Sequence, residues 1–450
     1  MDQNGSDKII IMNIGIIGLG YVGLTLAAVA SARGFTVYAV EVNNDIKNSL
    51  SKSEAHFYEP GLNSILHSSI NKKLFIVSNF AKQHNIDIYI VTVGTPLIDN
   101  TKIVDYHYIY SALATIKETY TGRELVMLRS TVSVGSTRSI VIPYLAEMSG
   151  LKQEGLLVAF CPERTIEGMA VKELQELPQI IGANCKAALE FAERFFRELT
   201  ATIVRVDSLE AAELVKLFNN TYRDIHFAIG NLFNDIAQSF ELNGEKLISA
   251  ANFGYSRSNI ALPGFVGGPC LEKDAYILTN NIRESHGKSF ILNARLYNES
   301  LEDDIVKWVI NTVTCLSLPR RICISGLAFK GVPGTSDLRG STSINICKKL
   351  KSNSFELSLH DFYAKSSEVE QLNLGCFTKD MLEACKSHSI ILIMTNSSEY
   401  VKIELQSILE SLDSNPFVFD AWSNYKFPAN DLLGCMKYFT LGNFKTHQFS

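Results

Sequence analysis

Residues 12–23 read MNIGIIGLGYVG, and this stretch decides the fold. An apolar run ends at Gly18, and Gly18, Gly20 and Gly23 then make a G-x-G-x-x-G turn. Residues 8–11 (KIII) extend the run upstream, so 8–18 reads as a buried strand. The alanine-rich segment 24–34 (LTLAAVASARG) reads as a helix closed by Gly34. Strand, glycine turn and helix in that order have a physical logic. Gly18 permits the tight turn, Gly20 lets a pyrophosphate approach the backbone, and Gly23 lets helix and strand pack closely. The helix start, with Tyr21 and Val22 in its first turn, offers free N–H groups and positive dipole to phosphates. Glu41 ends the next strand, FTVYAVEV (35–42), about twenty residues on. A carboxylate there favours a free ribose 2′-OH over a 2′-phosphate, so the expected cofactor is NAD rather than NADP.

Further apolar runs occur at 86–93 (IDIYIVTV), 125–130 (LVMLRS) and 156–161 (LLVAFC), mostly separated by helical segments. Strands alternating with helices predict a doubly wound parallel sheet. From residue 209 the pattern becomes helical without a break for roughly thirty residues. Leu214, Phe218, Ile225, Ile229, Leu232 and Ile236 recur three, four or seven apart and predict a buried stripe. A helix that long suits a connector that also packs against a second subunit. Strands return after 318, at 320–331 (RRICISGLAFKG), 355–361 (FELSLHD), 389–397 (SIILIMTNS) and 416–422 (PFVFDAW). The first of these echoes residues 12–23 without the glycine triplet. The expectation is an α/β protein of two Rossmann-like, doubly wound parallel-sheet domains, 1–208 and 301–450, joined by a helical central domain, 209–300.

Composition removes several classes of function. At 450 residues, with 46% hydrophobic and 20% charged residues, the chain has the makeup of a multidomain globular protein. A net charge of -5 gives no electrostatic footprint for nucleic acid or an anionic membrane. The basic cluster Lys348-Lys349-Lys351 reads as a solvated helix face. Nine cysteines without a C-x-x-C pair argue against zinc or a disulfide framework and for a reducing compartment. Nine histidines form no H-E-x-x-H pattern, so no metal is expected. The N-terminal MDQNGSDKIIIMN lacks the length of a signal h-region, and no apolar run approaches the ~18 residues of a membrane span. A cytoplasmic location is expected.

The chemistry concentrates in GFVGGPCLEKDAYIL (264–278). Pro269 occupies a favoured first helical position, which puts Cys270 in the first turn, where a helix N-terminus favours thiolate. Asp274 follows one turn later on the same face. A packing thiol is the plain alternative, but packing does not call for a G-x-x-G-G-P lead-in. On the long helix Lys216, Asn220 and the Arg223-Asp224 pair align along one face, and a lysine there suits a developing oxyanion. The alternative is a solvated polar face. A dinucleotide site implies hydride transfer. A nucleophilic cysteine adds the capacity to hold an aldehyde as a thiol adduct, oxidise it and hydrolyse the thioester. The combination predicts a four-electron oxidation of a primary alcohol to a carboxylate with two NAD.

These motifs resemble the UDP-glucose/GDP-mannose dehydrogenases, which make nucleotide-sugar uronic acids. GLGYVGL (18–24) is similar to the family's cofactor turn, and VGTP (93–96) and STV (130–132) to its next two cofactor loops. CPERTIEG (161–168), ELVKLFNN (213–220), PGFVGGPCLEKD (263–274) and GLAFKGVPGTSDLRGS (326–341) are similar to its later signatures, in the same order. The resemblance implies Cys270 as nucleophile, with Lys216 and Asn220 stabilising oxyanions. It implies that Asp274 and Thr131 hold the water that relays the alcohol proton, and that Glu163 assists thioester hydrolysis. Thr95, Thr131, Lys273 and Arg339 match cofactor contacts. Lys330, Arg223, Arg257 and the Phe265–Gly268 loop, Gly267 included, match positions that hold the nucleotide sugar beside Lys216 and Asn220. It also implies a homodimer through the central domain, with Arg257 serving the neighbour's site, and a role in making surface polysaccharide precursors.

The sugar is read from finer detail. NNTYRDIHFAIGNL (219–232), with its N-x-x-R-D, resembles the branch acting on UDP-N-acetylhexosamines, UDP-GlcNAc or UDP-ManNAc. That branch also places an arginine, here Arg257, shortly before the cysteine loop. At the cysteine the chain departs from it, with G-G-P-C where many members have G-G-H-C, and its Lys273-Asp274 pair is closer to the UDP-glucose branch. Two other readings are a hydroxyacid-type dehydrogenase, which makes one oxidation and needs no Cys270, and a silent nucleotide-sugar-binding module.

Overall fold

The structure is a computed structural model and describes residues 12–98, 101–280, 282–414, 416–425 and 437–445. Residues 8–11, read as the start of the first strand, lie outside the described residues, as does most of the N-terminal stretch weighed as a leader. The chain divides into two compact units, 1–218 and 219–450.

The first unit is built on an eight-stranded sheet, β1 Asn13–Ile17, β2 Thr36–Val40, β3 Leu74–Val77, β4 Ile88–Val91, β5 Leu125–Leu128, β6 Leu157–Phe160, β7 Gln179–Ala183 and β8 Ile203–Arg205. Its order is β3-β2-β1-β4-β5-β6-β7-β8. The first six strands are parallel in the doubly wound order, and β7 runs antiparallel to β6. The expected parallel sheet therefore gains an antiparallel extension. β1 pairs β2 on one side and β4 on the other, with cores on both faces of the sheet. That is why it reads as a continuous apolar run rather than an alternating one.

The second unit carries a six-stranded, all-parallel sheet, β9 Arg321–Ser325, β10 Glu356–His360, β11 Cys376–Thr378, β12 Ile390–Ile393, β13 Phe417–Asp420 and β14 Lys437–Thr440. Its order, β11-β10-β9-β12-β13-β14, repeats the order of the first six strands of the other sheet. The echo of residues 12–23 at 320–331 is thus a repeat of topology.

The long helix runs unbroken over Leu209–Ser239. Its inside and outside differ from the expected stripe. Phe218, Ile229, Leu232 and Ile236 are exposed, and Tyr222, Phe233 and Phe240 join them on the same face. The face buried within the chain is polar, with Asn220, Asp224, Asn231, Asn234 and Gln238 all buried. Periodicity identified the two faces correctly, but the chain's own interior takes the polar one. Several of its side chains bond the rest of the chain, Asn234 and Gln238 donating to the Leu441 carbonyl at 2.8 and 3.1 Å. No helix among the described residues is long and apolar enough to cross a membrane.

Candidate active site

In the first unit the glycine turn has the geometry its three roles require. Gly18 sits at φ +89°, where only glycine is unstrained, and a Cβ on Gly23 would come within 1.9 Å of the Gly18 carbonyl oxygen. A Cβ on Gly20 would meet nothing within 4 Å, which leaves the space beside its backbone open to a ligand. The helix Tyr21–Ala32 starts immediately after it, with no side chain capping its first N–H groups. Tyr21 stacks on Phe57 with ring centroids 3.8 Å apart, and Val22 is half-buried. Glu41 lies at the turn, its Oε2 accepting from the Leu19 N–H at 2.7 Å and its Oε1 from Val42 and Asn43 at 2.8 Å. An open Gly20 at an uncapped helix start, with an acid beside the turn, fits a dinucleotide.

The loops after β4 and β5 are tied together. The Thr95 hydroxyl donates to the Thr131 carbonyl at 2.6 Å, and Ser130 donates to the Val93 carbonyl at 2.6 Å. Thr131 itself is half-buried. Glu213, which the sequence reading passed over, anchors the same region from the long helix. Its carboxylate accepts from the N–H groups of Gly135 and Thr137 at 2.5 and 2.9 Å and from the Thr137 hydroxyl at 2.6 Å.

Glu163 is buried beside Arg129, whose Nη2 donates to its Oε2, while Nη1 reaches Gln179 at 3.1 Å. Its Oε1 accepts from the Arg164 and Thr165 N–H groups at 2.8 and 2.9 Å. Burial pushes the Glu163 carboxyl up, but the Arg129 charge, the Thr165 N–H and the Lys216 charge outweigh it and hold the pKa below the usual carboxylate range. Lys216 therefore acts electrostatically on Glu163, and Arg129 is a partner not singled out from the sequence.

In the second unit Cys270 is exposed and immediately precedes the helix Leu271–Asn280. The Lys273 and Asp274 N–H groups donate to its carbonyl at 3.2 and 3.0 Å, so Cys270 leads into that helix from just outside it, rather than lying in its first turn behind Pro269. Asp274 is buried, and the Asn220 amide donates to its Oδ2 at 2.6 Å. Lys273 is half-buried. The glycines before the cysteine permit close packing. Gly268, at φ +95°, donates its N–H to the Gly340 carbonyl at 2.7 Å, and a Cβ on it would come within 2.5 Å of the Phe329 ring. A Cβ on Gly267 would meet the same Gly340 oxygen at 2.5 Å. Lys330 stands over the other part of this contact, its Nζ 5.4 Å from the Phe329 ring centroid.

Other candidates are placed differently from a simple ligand-contact reading. The Phe265 ring packs in the core of the C-terminal sheet, which leaves its backbone rather than its ring for a substrate. The Arg339 guanidinium is held by Asp337, with Nε–Oδ1 at 2.9 Å and Nη2–Oδ2 at 2.6 Å. Arg223 and Arg257 are exposed, the latter 4.9 Å from the Tyr255 ring centroid. Asp224, the other half of the Arg223-Asp224 pair, is buried against Arg295.

The corresponding turn of the second unit is filled where that of the first is open. Asp361 follows β10 as Glu41 follows β2, but it is buried. Its oxygens accept from the N–H groups of Leu327, Ala328, Tyr363 and Ala364 at 2.7–2.9 Å. Gly326, at φ +90°, has Thr395 and Tyr400 where a side chain would stand.

The UDP-glucose/GDP-mannose dehydrogenase family's NAD binding domain matches residues 12–200, its central domain 210–300 and its UDP binding domain 323–426. The chain belongs to the UDP-glucose/GDP-mannose dehydrogenase family. It is an NAD-dependent nucleotide-sugar dehydrogenase. The UDP-N-acetyl-D-mannosamine dehydrogenase of Methanococcus maripaludis (strain C7) is 31% identical, over 93% of this chain and 94% of that one. The structure of the UDP-D-ManNAc dehydrogenase from Pyrococcus horikoshii superposes with a TM-score of 0.84 at 27% identity, covering 96% of this chain and all of that one. That of the UDP-N-acetyl-mannosamine dehydrogenase from Staphylococcus aureus gives 0.81 at 26%, over 96% and 98%. In this dehydrogenase the glycine turn of the first unit belongs to the NAD domain, and Lys330 and Arg339 belong to the UDP binding domain.

Proposed function

We propose that this dehydrogenase oxidises the C6 primary alcohol of a UDP-N-acetylhexosamine, UDP-GlcNAc or UDP-ManNAc, to the uronate through a thioester on Cys270. The observation that carries the reading is an exposed cysteine at a helix start, on a glycine loop, with the Asn220–Asp274 pair one turn behind it. The mannosamine-specific relatives in sequence and in structure support the choice of sugar.

Bound NAD supplies a hydride acceptor, twice for each sugar. Asp274, oriented by Asn220, holds with Thr131 the water that takes the alcohol proton as the aldehyde forms. The Cys270 thiolate then bonds to the aldehyde carbon, and the carbonyl oxygen becomes an oxyanion stabilised by Lys216 and Asn220. Loss of the second hydride leaves a thioester. Water attacks it, the carbon–sulfur bond breaks, and thiolate and carboxylate separate. Glu163, held as an anion by Arg129, assists that hydrolysis in the field of Lys216. Tyr21, Val22, Glu41, Thr95, Lys273 and Arg339 contribute to cofactor binding, and Arg223, Arg257, Lys330 and the 265–268 backbone to the nucleotide sugar. The domains act as 1–208, 209–300 and 301–450. The product feeds surface polysaccharide synthesis in the cytoplasm, and the enzyme works as a homodimer through its central helices.

Two NADH per sugar are expected, with Cys270→Ser unable to release acid. One NADH per sugar, or full turnover by the serine variant, refutes the thioester route. NADH production across UDP-GlcNAc, UDP-ManNAc and UDP-glucose tests the sugar. The Lys273-Asp274 pair favours UDP-glucose as a second reading, and turnover of that substrate alone would establish it.

A further inference from the structure

Four buried polar side chains that the reaction scheme does not use converge on the loop that carries Cys270. Asp224 and Asn231 come from the long helix, and Arg295 and Asn298 from the helix His286–Cys315. None is more than 2% exposed. Arg295 donates through Nη2 to the Val266 carbonyl at 3.1 Å and through Nη1 to the Leu271 carbonyl at 3.2 Å. Those two carbonyls flank residues 267–270 on either side. The same Nη1 bonds Asp224 Oδ1 at 2.7 Å. Asn298 donates to the Asp224 carboxylate and carbonyl, both at 2.9 Å, and accepts from Asn231 at 2.9 Å. Asn231 then holds Gly264 at both of its backbone groups, at 2.9 and 3.1 Å.

Stability alone does not account for this cluster. A buried ion pair commonly does no better than apolar residues of equal volume, because desolvation offsets the attraction. What a network of buried polar bonds supplies is a single geometry, although Asp224 Oδ2 and Arg295 Nε are left without a hydrogen bond. Here both Arg295 and Asn231 end on the backbone of the cysteine loop, Arg295 also pairing with Glu299 at 3.3 Å, while the Gly268 N–H of that loop donates to the Gly340 carbonyl. We propose that Arg295, braced by Asp224 and Asn298, is a positioning residue that sets the height of Cys270 over the substrate's C6. Cys270 bonds to carbon only after the first oxidation. Loosening the bracket therefore impairs capture of the aldehyde more than its formation.

This rests on the thioester reading, so the wild-type enzyme is measured first. Two NADH per sugar and an acid-free Cys270→Ser variant secure that reading independently of Arg295. Arg295→Lys keeps the charge but cannot span both carbonyls in a planar fork. It is expected to lower the yield from two NADH toward one, with released aldehyde trapped as its hydrazone. The KM for nucleotide sugar should change less than threefold, and the rate of Cys270 alkylation by iodoacetamide by at least fivefold. Asn231→Ser, which loosens the Gly264 end and the bond to Asn298 but leaves Arg295 on both carbonyls, should shift the same ratios less, and gives the answer should the lysine variant not fold. Asp235→Asn, on the same helix but bonded to Lys445 rather than to the loop, should leave the ratio at two. A folded Arg295→Lys or Asn231→Ser enzyme with two NADH per sugar and wild-type alkylation overturns the proposal. So does an Asp235→Asn enzyme that leaks aldehyde equally.

Discussion

Gly20 and Gly23 are three residues apart and do different work, and single methyl groups separate the two roles. At Gly23 a Cβ meets a backbone oxygen that cannot move away. Gly23→Ala should therefore lower both stability, by about 1–3 kcal/mol for an overpacked site, and NAD affinity. At Gly20 the Cβ points into open space, so Gly20→Ala should leave the melting temperature unchanged and weaken NAD binding at least tenfold. Thermal melts beside a fluorescence titration with NADH separate these outcomes, and equal affinity in the Gly20 variant would show that the cofactor does not use this turn. The glycine turn was legible because all of its determinants lie within a few residues of one another. Arg295 was not, because its partners Asp224, Val266 and Leu271 are 71, 29 and 24 residues away. The only local signal was Arg295 and Asn298 three apart on a helix, a spacing that also fits a surface face. Thr131 and Glu163 became candidates only through the family resemblance. Nothing in their immediate sequence announces Arg129, on whose charge Glu163 depends.

The long helix shows what an amphipathic pattern can and cannot establish. Its period placed the helix and its two faces correctly, but not the side on which the rest of the chain would pack. Apolar residues ordinarily turn inward. Here the inner face is committed to asparagines, a glutamine and an aspartate that bond loop and C-terminal backbone, so the apolar face is left to be covered from outside. A homodimer covering Ile229, Leu232, Phe233 and Ile236 should bury side chains that each contribute roughly 1.5–3 kcal/mol when removed from water. The double substitution Leu232→Glu/Ile236→Glu is expected to halve the mass measured by sedimentation while leaving the circular dichroism spectrum intact. A wild-type enzyme that sediments as a fully active monomer would contradict the homodimer.

At the scale of the whole molecule, two sheets share one strand order and differ in what they leave unfilled. The first keeps Gly20 open, whereas in the second the acid after β10 is saturated by its own backbone. Beneath that second turn lies His360, fully buried, with its Nδ1 at 2.7 Å from the Ser325 hydroxyl. Burial lowers its pKa from 6.5 to about 4. Above pH 6.5 the histidine is neutral in both folded and unfolded chains and has no effect on their balance. As pH falls from 6.5 toward 4 the unfolded chain takes up a proton that the folded chain refuses, so stability is lost across that window. The shift corresponds to roughly 3 kcal/mol at its lower end. Denaturant titrations at pH 7.5 and 4.5 should show a smaller acid loss in His360→Gln than in the wild type, and equal losses would place the acid sensitivity elsewhere. The doubled topology itself was readable from the apolar runs. Its differing contents were not, because saturation of Asp361 depends on four amides that only the folded loop brings together.

The bonds that Asn231, Arg295 and Gly340 make to the cysteine loop, at Gly264, Val266, Gly268 and Leu271, fall on its main-chain atoms. A loop gripped by its backbone keeps its shape while its side chains drift. Gly264, Gly267 and Gly268 are the exceptions, since a Cβ there would collide with Trp422, Gly340 or Phe329. Pro269, half-buried beside them, takes no part in these bonds. Evolution could exchange the residue beside the nucleophile, proline in this chain, without rebuilding the scaffold, so a change of sugar can be sought at this position while the thiol stays where it is.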